Sequence, residues 1–282
     1  MAGSDMGRIY RLMPENGTYQ GEKVDLKSAT GLQLVDYLSH KNGWYRSNAQ
    51  RLILERQDKT LVPAVISLFS NSPDARTRLH ALYVLEGLTA LTEAIVKKSL
   101  TDSESGVREN GLILAERYPK TLKLLIPMVN DPSQRVALQA ALSLGQFKGK
   151  KVIEALAEVI RKNGQNDWFR SAVISSEAGS SVEILNSLIK DGAFFSKEES
   201  WKLSFIQDLS NIIGARYYKE QFSAYLNTLS SPTLSAAKVQ QAALKGLKAG
   251  LNKNESTKEL AGQLNAGSVE EVKEGFQLLR KN

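Results

Sequence analysis

Along most of the chain, apolar residues recur three, four and seven positions apart, the spacing that lines one face of an α-helix. The clearest case is TRLHALYVLEGLTAL, residues 77–91. At about 100° per residue, Ala81, Leu82, Leu85 and Leu88 gather on one side with Arg78 at their edge. His80, Tyr83 and Gly87 fall together on the opposite side. The layout then repeats. Arg46, Arg78, Arg108, Ala137 and Arg170 anchor it, at intervals of 32, 30, 29 and 33 residues. Three positions after each anchor stand Ala49, Ala81, Gly111, Ala140 and Val173, and four of these five are small enough to let neighbouring helix backbones approach. Seven positions after each anchor stand Ile53, Leu85, Ala115, Leu144 and Glu177. Both positions share one helix face, which is the side expected to be buried, and Glu177 marks the fifth unit as degenerate.

Each anchor helix is followed by a second apolar one, in turn VPAVISLF, EAIVKKSL, TLKLLIPMV, VIEALAEVI and VEILNSLI. Ser72-Pro73, Asp102-Ser103 and Asp131-Pro132 precede anchor helices and are expected to cap them. Two further helix pairs fit 198–229 and 233–280, with weaker matches around Trp201 and Val239. The expected fold is all-α, an α-solenoid of about seven helix pairs, because one pair alone leaves its apolar face uncovered. The pair, with V-R-x-x-A-x-x-x-L in its second helix, resembles the short bacterial HEAT repeat. That resemblance implies that the anchor helices line the concave side. It also implies that each anchor arginine pairs with an acid near the turn of its own or the next unit, for which Asp74, Asp102, Asp131 and Asp167 are placed. Arg46, Arg78, Arg108 and Arg170, with Asp102 and Asp131, are thus the expected structural ladder, broken by Ala137 in the fourth unit.

The face opposite the core repeats as well. Its columns read Asn48, Arg51 and Glu55, then His80, Tyr83 and Gly87, then Asn110, Ile113 and Arg117, then Gln139, Leu142 and Gln146. Asn48, His80, Asn110 and Gln139 all carry both donor and acceptor capacity. Two readings stand. These groups hydrogen-bond between neighbouring helices or to water. Alternatively the face is a partner-binding groove lined by Asn48, Arg51, His80, Tyr83, Gly87, Asn110, Arg117 and Gln139, with Gly87 permitting close approach beside Tyr83.

Composition removes more functions than it adds. The net charge of +7 comes from 37 basic against 30 acidic residues, and it is dispersed. Residues 42–80 carry six basic and three acidic side chains and 231–282 carry eight and five, without a run of five Lys or Arg. Such a pattern reads as solvated surface and disfavours nucleic acid as a partner. With no cysteine, disulfides, thiolate metal sites, thiol nucleophiles and covalent c-type haem attachment are excluded within this chain. The longest apolar runs, such as LLIPMV at 124–129, fall far short of the roughly 20 residues of a membrane-spanning helix. The two histidines, His40 and His80, occupy different repeat positions, and no H-E-x-x-H, G-x-S-x-G, Walker loop or G-x-G-x-x-G is present. Glu154 and Glu158 read as solvated helix surface. No catalytic residue, metal or cofactor is therefore expected in this chain. Trp44 and Trp168 each precede an anchor arginine by two residues, and Trp201 opens a later helix. Their matching register reads as equivalent packing sites at helix starts. The alternative is a nucleic-acid-binding repeat protein of the alkylpurine DNA glycosylase type, which uses aromatic residues and a carboxylate on its concave face.

A narrower resemblance covers residues 31–100. L-x-H-x-N-x-W-x-R-x-x-A-Q-R-L-x-x-E-R runs from Leu38 to Arg56, and R-L-H-A-L-x-x-L-E-G-L from Arg78 to Leu88. Together they resemble large exported bacterial proteins that join a sugar-dehydrogenase-like β-propeller, HEAT repeats and usually a c-type cytochrome domain. GRIYRL near the N-terminus resembles the closing strand of such a propeller, while MAGS reads as a cloning remnant. No propeller precedes GRIYRL and no C-x-x-C-H follows residue 250. The resemblance implies a non-catalytic scaffold cut from a longer, periplasmic or otherwise exported protein. Its partners would be the adjacent propeller and cytochrome domains or another protein. On this reading residues 1–30 are a remnant strand and linker, irregular or leaning on the first helices, and residues 31–282 are the solenoid.

Overall fold

The computed structural model describes residue 15 and residues 25–176, 182–190, 192–197 and 199–281. Among the described residues every regular element is helical. Among the described residues sixteen α-helices follow one another in eight successive pairs. The first five are α1 (Gly31–Tyr37) with α2 (Gly43–Arg56), α3 (Val62–Asn71) with α4 (Ala75–Gly87), α5 (Glu93–Leu100) with α6 (Ser105–Ala115), α7 (Leu122–Leu125) with α8 (Gln134–Leu144), and α9 (Lys150–Asn163) with α10 (Asp167–Ser175). The last three are α11 (Val182–Ile189) with α12 (Ser200–Arg216), α13 (Lys219–Leu229) with α14 (Ala237–Leu251), and α15 (Lys258–Gly262) with α16 (Val269–Lys281). One apolar core runs through them from Leu26 to Leu279. This is the α-solenoid that the period of apolar residues predicts, with one more pair than expected.

The extra pair comes from a shift of phase. An anchor helix packs back on the helix before it, so each unit closes with its anchor helix, and α1 opens the first unit. In the first five units the two helices of a pair pack against each other. Every second helix, from α2 to α16, also packs on the next second helix, forming a continuous row. The positions three and seven after each anchor face this core. Ala49, Ala81, Ala140, Val173, Ile53, Leu85, Ala115 and Leu144 are all fully buried. Glu177 lies outside the described residues.

Local chemistry sets the boundaries. Thr30 and Gln33 form a reciprocal capping box at the start of α1, and Asn42, Asp74 and Asn166 accept from the first turns of α2, α4 and α10. Ser72, Asp102 and Asp131 act differently from expectation. They accept from Asp74 N, Glu104 N and Ser133 N, so they brace the turn ahead of the helix and leave its end uncapped by them. Pro127 lacks the N–H that would continue α7, and the chain goes on as a 3₁₀ turn, Ile126–Asn130. Of the expected N-terminal segment, only its end is described. Arg56 donates to Ala29 O at 2.6 Å and Lys27 O at 3.0 Å, lashing this turn to α2 and burying Leu26. GRIYRL lies outside the described residues.

α12 and α14 make the longest contact in the row. Gly214, Gly246 and Gly250 lie in the seam. A Cβ on Gly214 would sit 2.8 Å from Leu247 O, and one on Gly246 or Gly250 would strike the carbonyls of Gln207 or Asn211. The two backbones touch where glycine supplies no side chain.

Candidate functional site

The ladder is the most ordered polar feature of the second-helix row. Each anchor arginine turns its Nη1 to the loop before its own helix. Arg46 donates to His40 O and Lys41 O, Arg78 to Ser72 O and Pro73 O, Arg108 to Asp102 O and Ser103 O, and Arg170 to Gly164 O and Gln165 O. The other edge of the guanidinium reaches the next unit. Arg78 grips Asp102 through Nε at 2.8 Å and Nη2 at 2.6 Å, and Arg108 grips Asp131 at 2.9 and 2.8 Å. These are bidentate, charge-assisted pairs, and each carboxylate stands six residues before the next anchor. Burial works to raise both carboxyls, but the arginine forks outweigh it and hold them below the ordinary carboxylate range.

Of the four acids placed for the ladder, Asp74 serves elsewhere and Asp167 reaches an anchor arginine by the shorter route, within its own unit. Asp74 pairs with Arg76, whose hydrogen bonds hold its carboxyl down to about 2. Asp167 pairs with Arg170 of its own helix. At the place six before the next anchor, Arg46 finds Ser72 and Ala137 finds Gly164, so the fourth rung lacks both partners at once. The ladder position continues beyond the expected anchors. Lys202 donates to Lys197 O at 3.3 Å, pairs with Glu199 at 2.9 Å and lies over the rings of Phe194 and Trp201. Gln240 donates to Leu234 O at 2.7 Å. Neither is an arginine, and the carbonyls that receive them carry no side-chain signature.

On the opposite face, much of the polar column is spent inside the solenoid. His80 Nδ1 meets Gln50 Oε1 at 2.6 Å, Tyr83 donates to Asn110 Oδ1 at 2.6 Å, and Arg117 pairs with Glu86 at 2.6 Å. Each joins one unit to its neighbour. Gln139 donates to Ser143, which donates in turn to Glu116 of the preceding unit. Asn48 and Arg51 stay within α2, where Asn48 donates to Trp44 O and Arg51 pairs with Glu55. Burial first, then the charge of Arg46, holds His80 below the usual imidazole value. Gly87 does permit a close approach, but to Leu54 of the preceding unit: a Cβ there would lie 2.5 Å from Leu54 Cδ2.

Beside its exposed charged side chains this face also leaves apolar ones open. Ile113 and Leu142, five residues after successive anchors, are each 41% exposed, in line with half-buried Tyr83 one unit earlier. Arg117–Glu86 and Arg135–Glu109 ion pairs join the same helices. The tryptophans also depart from expectation: Trp44 is 60% and Trp168 73% exposed. Each is the second residue after an asparagine cap that accepts its N–H at 2.9 Å, so their equivalence is real, but it lies in the cap and not in packing. Trp201 does pack, against Phe194 and over Gly164.

Residues 98–176 match the family of HEAT repeats. The matched span runs from the end of α5 through α10 and holds the Arg108–Asp131 rung, Ile113 and Leu142. HEAT repeats typically form repeat scaffolds or interaction domains, and their fold is generally non-catalytic. The chain matches no curated protein. Among the described residues no three His, Cys, Asp or Glu side chains gather at metal-holding distance. No described helix is long and apolar enough to cross a membrane.

Proposed function

We propose that the chain is a non-catalytic HEAT-type scaffold that holds a protein partner against its second-helix row. The observation that carries this reading is the exposure of Ile113 and Leu142 on α6 and α8, aligned with half-buried Tyr83 on α4. Polar neighbours there are tied to one another across the units, so the apolar side chains are what the face offers to a partner. The spelling of Leu38–Arg56 and Arg78–Leu88 supports a finer reading. The chain is then the connecting solenoid of an exported, periplasmic protein with a dehydrogenase-like propeller and a haem domain, and those adjacent domains are the partners. Cofactors would reside in them and not here.

Hydrogen exchange of the full-length parent protein against this segment tests the proposal. Protection of α4, α6 and α8 that appears only in the full-length protein, and that Ile113→Glu with Leu142→Glu removes, is the expected result. Equal exchange in both proteins sinks the reading of neighbouring domains as partners. A second reading, a nucleic-acid-binding repeat protein, draws on the two exposed tryptophans, Trp168 standing beside exposed Asp167. Titration with duplex DNA at rising salt separates it, since phosphate contacts weaken steeply with salt and a protein scaffold shows no such binding.

A further inference from the structure

The ion pairs that flank Ile113 and Leu142 are lopsided. The side chain of Arg117 is 70% exposed and that of its partner Glu86 28%. That of Arg135 is 78% exposed and that of its partner Glu109 20%. In both pairs the carboxylate is the recessed member and the guanidinium stands out in solvent. Among the described residues Arg117 donates one hydrogen bond, from Nη1, and Arg135 meets Glu109 through Nη2. A guanidinium carries five N–H donors, so most of each fork is left for a second carboxylate.

The rows around these arginines share their sign. Positions two before and five after an anchor are seven residues apart and lie along one line of the outer helix face. Of these ten positions in the first five units, three are arginine (Arg51, Arg76 and Arg135) and none is Asp or Glu. A carboxylate laid along that line meets no like charge in it. Gly106 holds the place of Arg135 one unit earlier, and a Cβ there would meet nothing within 4 Å, so the row is open on that side. Ile113 and Leu142 stand at one level on α6 and α8, each five after its anchor. Arg117 comes four residues after Ile113, and Arg135 seven before Leu142. At the rise of an α-helix the two arginines are set about 16 Å apart along the face, roughly five residues of extended chain.

We infer that this face takes an acidic segment of a protein partner, with carboxylates on Arg117 and Arg135 and apolar side chains on Ile113 and Leu142. The inference rests on the reading of this face as a docking surface and adds the chemistry of the partner. Exposed ion pairs contribute little, so Glu86 and Glu109 share or yield their arginines at small cost. A phosphate chain fits less well, because the apolar pair would lie beneath its charged backbone.

The test selects short peptides from a displayed random library on the full chain, then measures the enriched sequences by fluorescence anisotropy. The expected sequences carry Asp or Glu on both sides of a large apolar residue. Arg117→Gln with Arg135→Gln should weaken their binding about tenfold, while Lys123→Gln on α7 leaves it unchanged. Ile113→Glu with Leu142→Glu should abolish it. The reversed chain, Arg117→Glu with Arg135→Glu, should select Lys and Arg in place of Asp and Glu. Peptides weakened by the apolar variant but not by the glutamine variant overturn the acidic chemistry and leave the docking surface standing. Peptides indifferent to both variants remove the docking surface as well. A selection that enriches no acidic sequence also overturns the inference. So does a poly-dT oligonucleotide that displaces the peptides and loses its binding in the glutamine variant, which assigns the arginines to a phosphate chain.

Discussion

The second-helix row is joined by two different chemistries along its length. From α4 to α8 the helices are clamped by side chains that span the gap, Arg78 to Asp102 and Arg108 to Asp131. Between α12 and α14 the backbones themselves meet, because Gly214, Gly246 and Gly250 carry no side chain in the seam. A charged clamp depends on protonation and on both of its ends being present, whereas a glycine seam depends only on the absence of side chains. The pairs differ accordingly. In the first five units a second helix packs on its own first helix, while towards the C-terminus contacts between units such as α9 with α11 and α12 with α14 dominate.

The sharpest way to break this contrast is to fill the glycine seam. Gly246→Val puts carbon into the carbonyl of Gln207, which is backbone and has nowhere to move, and should cost about 3 kcal/mol in urea unfolding. Arg108→Met leaves Asp131 without its fork in a mostly buried place, and a loss of about 2 kcal/mol is expected. The clamp should also be visible in acid. Asp102 and Asp131 titrate below the usual 3.8 when folded, so they bind fewer protons folded than unfolded. Their contribution is complete above that value and fades as pH falls through the lower folded ones. Asp102→Asn combined with Asp131→Asn should therefore flatten the acid limb of stability, while Gly246→Val lowers stability at every pH and keeps the limb's slope.

Smaller changes sharpen the comparison. Ser72→Asp gives Arg46 the rung that its neighbours have, and a gain of about 0.5–1 kcal/mol at neutral pH is expected from thermal unfolding. Gly87→Ala separates glycines by what they face. Its new carbon meets the end of the flexible Leu54 side chain, so stability should stay within about 0.5 kcal/mol of the parent, with the better helix propensity of alanine offsetting the crowding.

Much of this was legible in the residues. The interval between Arg78 and Arg108 and the small residues Ala81 and Gly111 between them state a repeat of packed helices, because helix geometry turns sequence spacing directly into a face. The ladder acids Asp102 and Asp131 could be named, but Asp74 looked equally suitable and pairs instead with Arg76, while Asp167 reaches Arg170 within its own unit and not across to another. Position alone did not separate them, since a carboxylate near a turn can serve its own helix or the next one. Lys202 and Gln240 were hidden for a related reason: the groups that hold them in place are main-chain carbonyls, which every residue has. The exposure of Trp44 and Trp168 ran against their apolar character, since a residue just inside a helix cap follows the cap's geometry before its own hydrophobicity.

Sequence by itself determined the helices, their period, the buried face and the arginines that close each turn, all of which follow from contacts a few residues apart. Tertiary structure alone decided that helix pairs close on the anchor and that Gly87 faces Leu54. It also decided that Tyr83 is tied to Asn110, and that Ile113 and Leu142 stay exposed. Those outcomes depend on how one unit is set against the next, a register fixed by loops and packing across about thirty residues, beyond the reach of any local pattern.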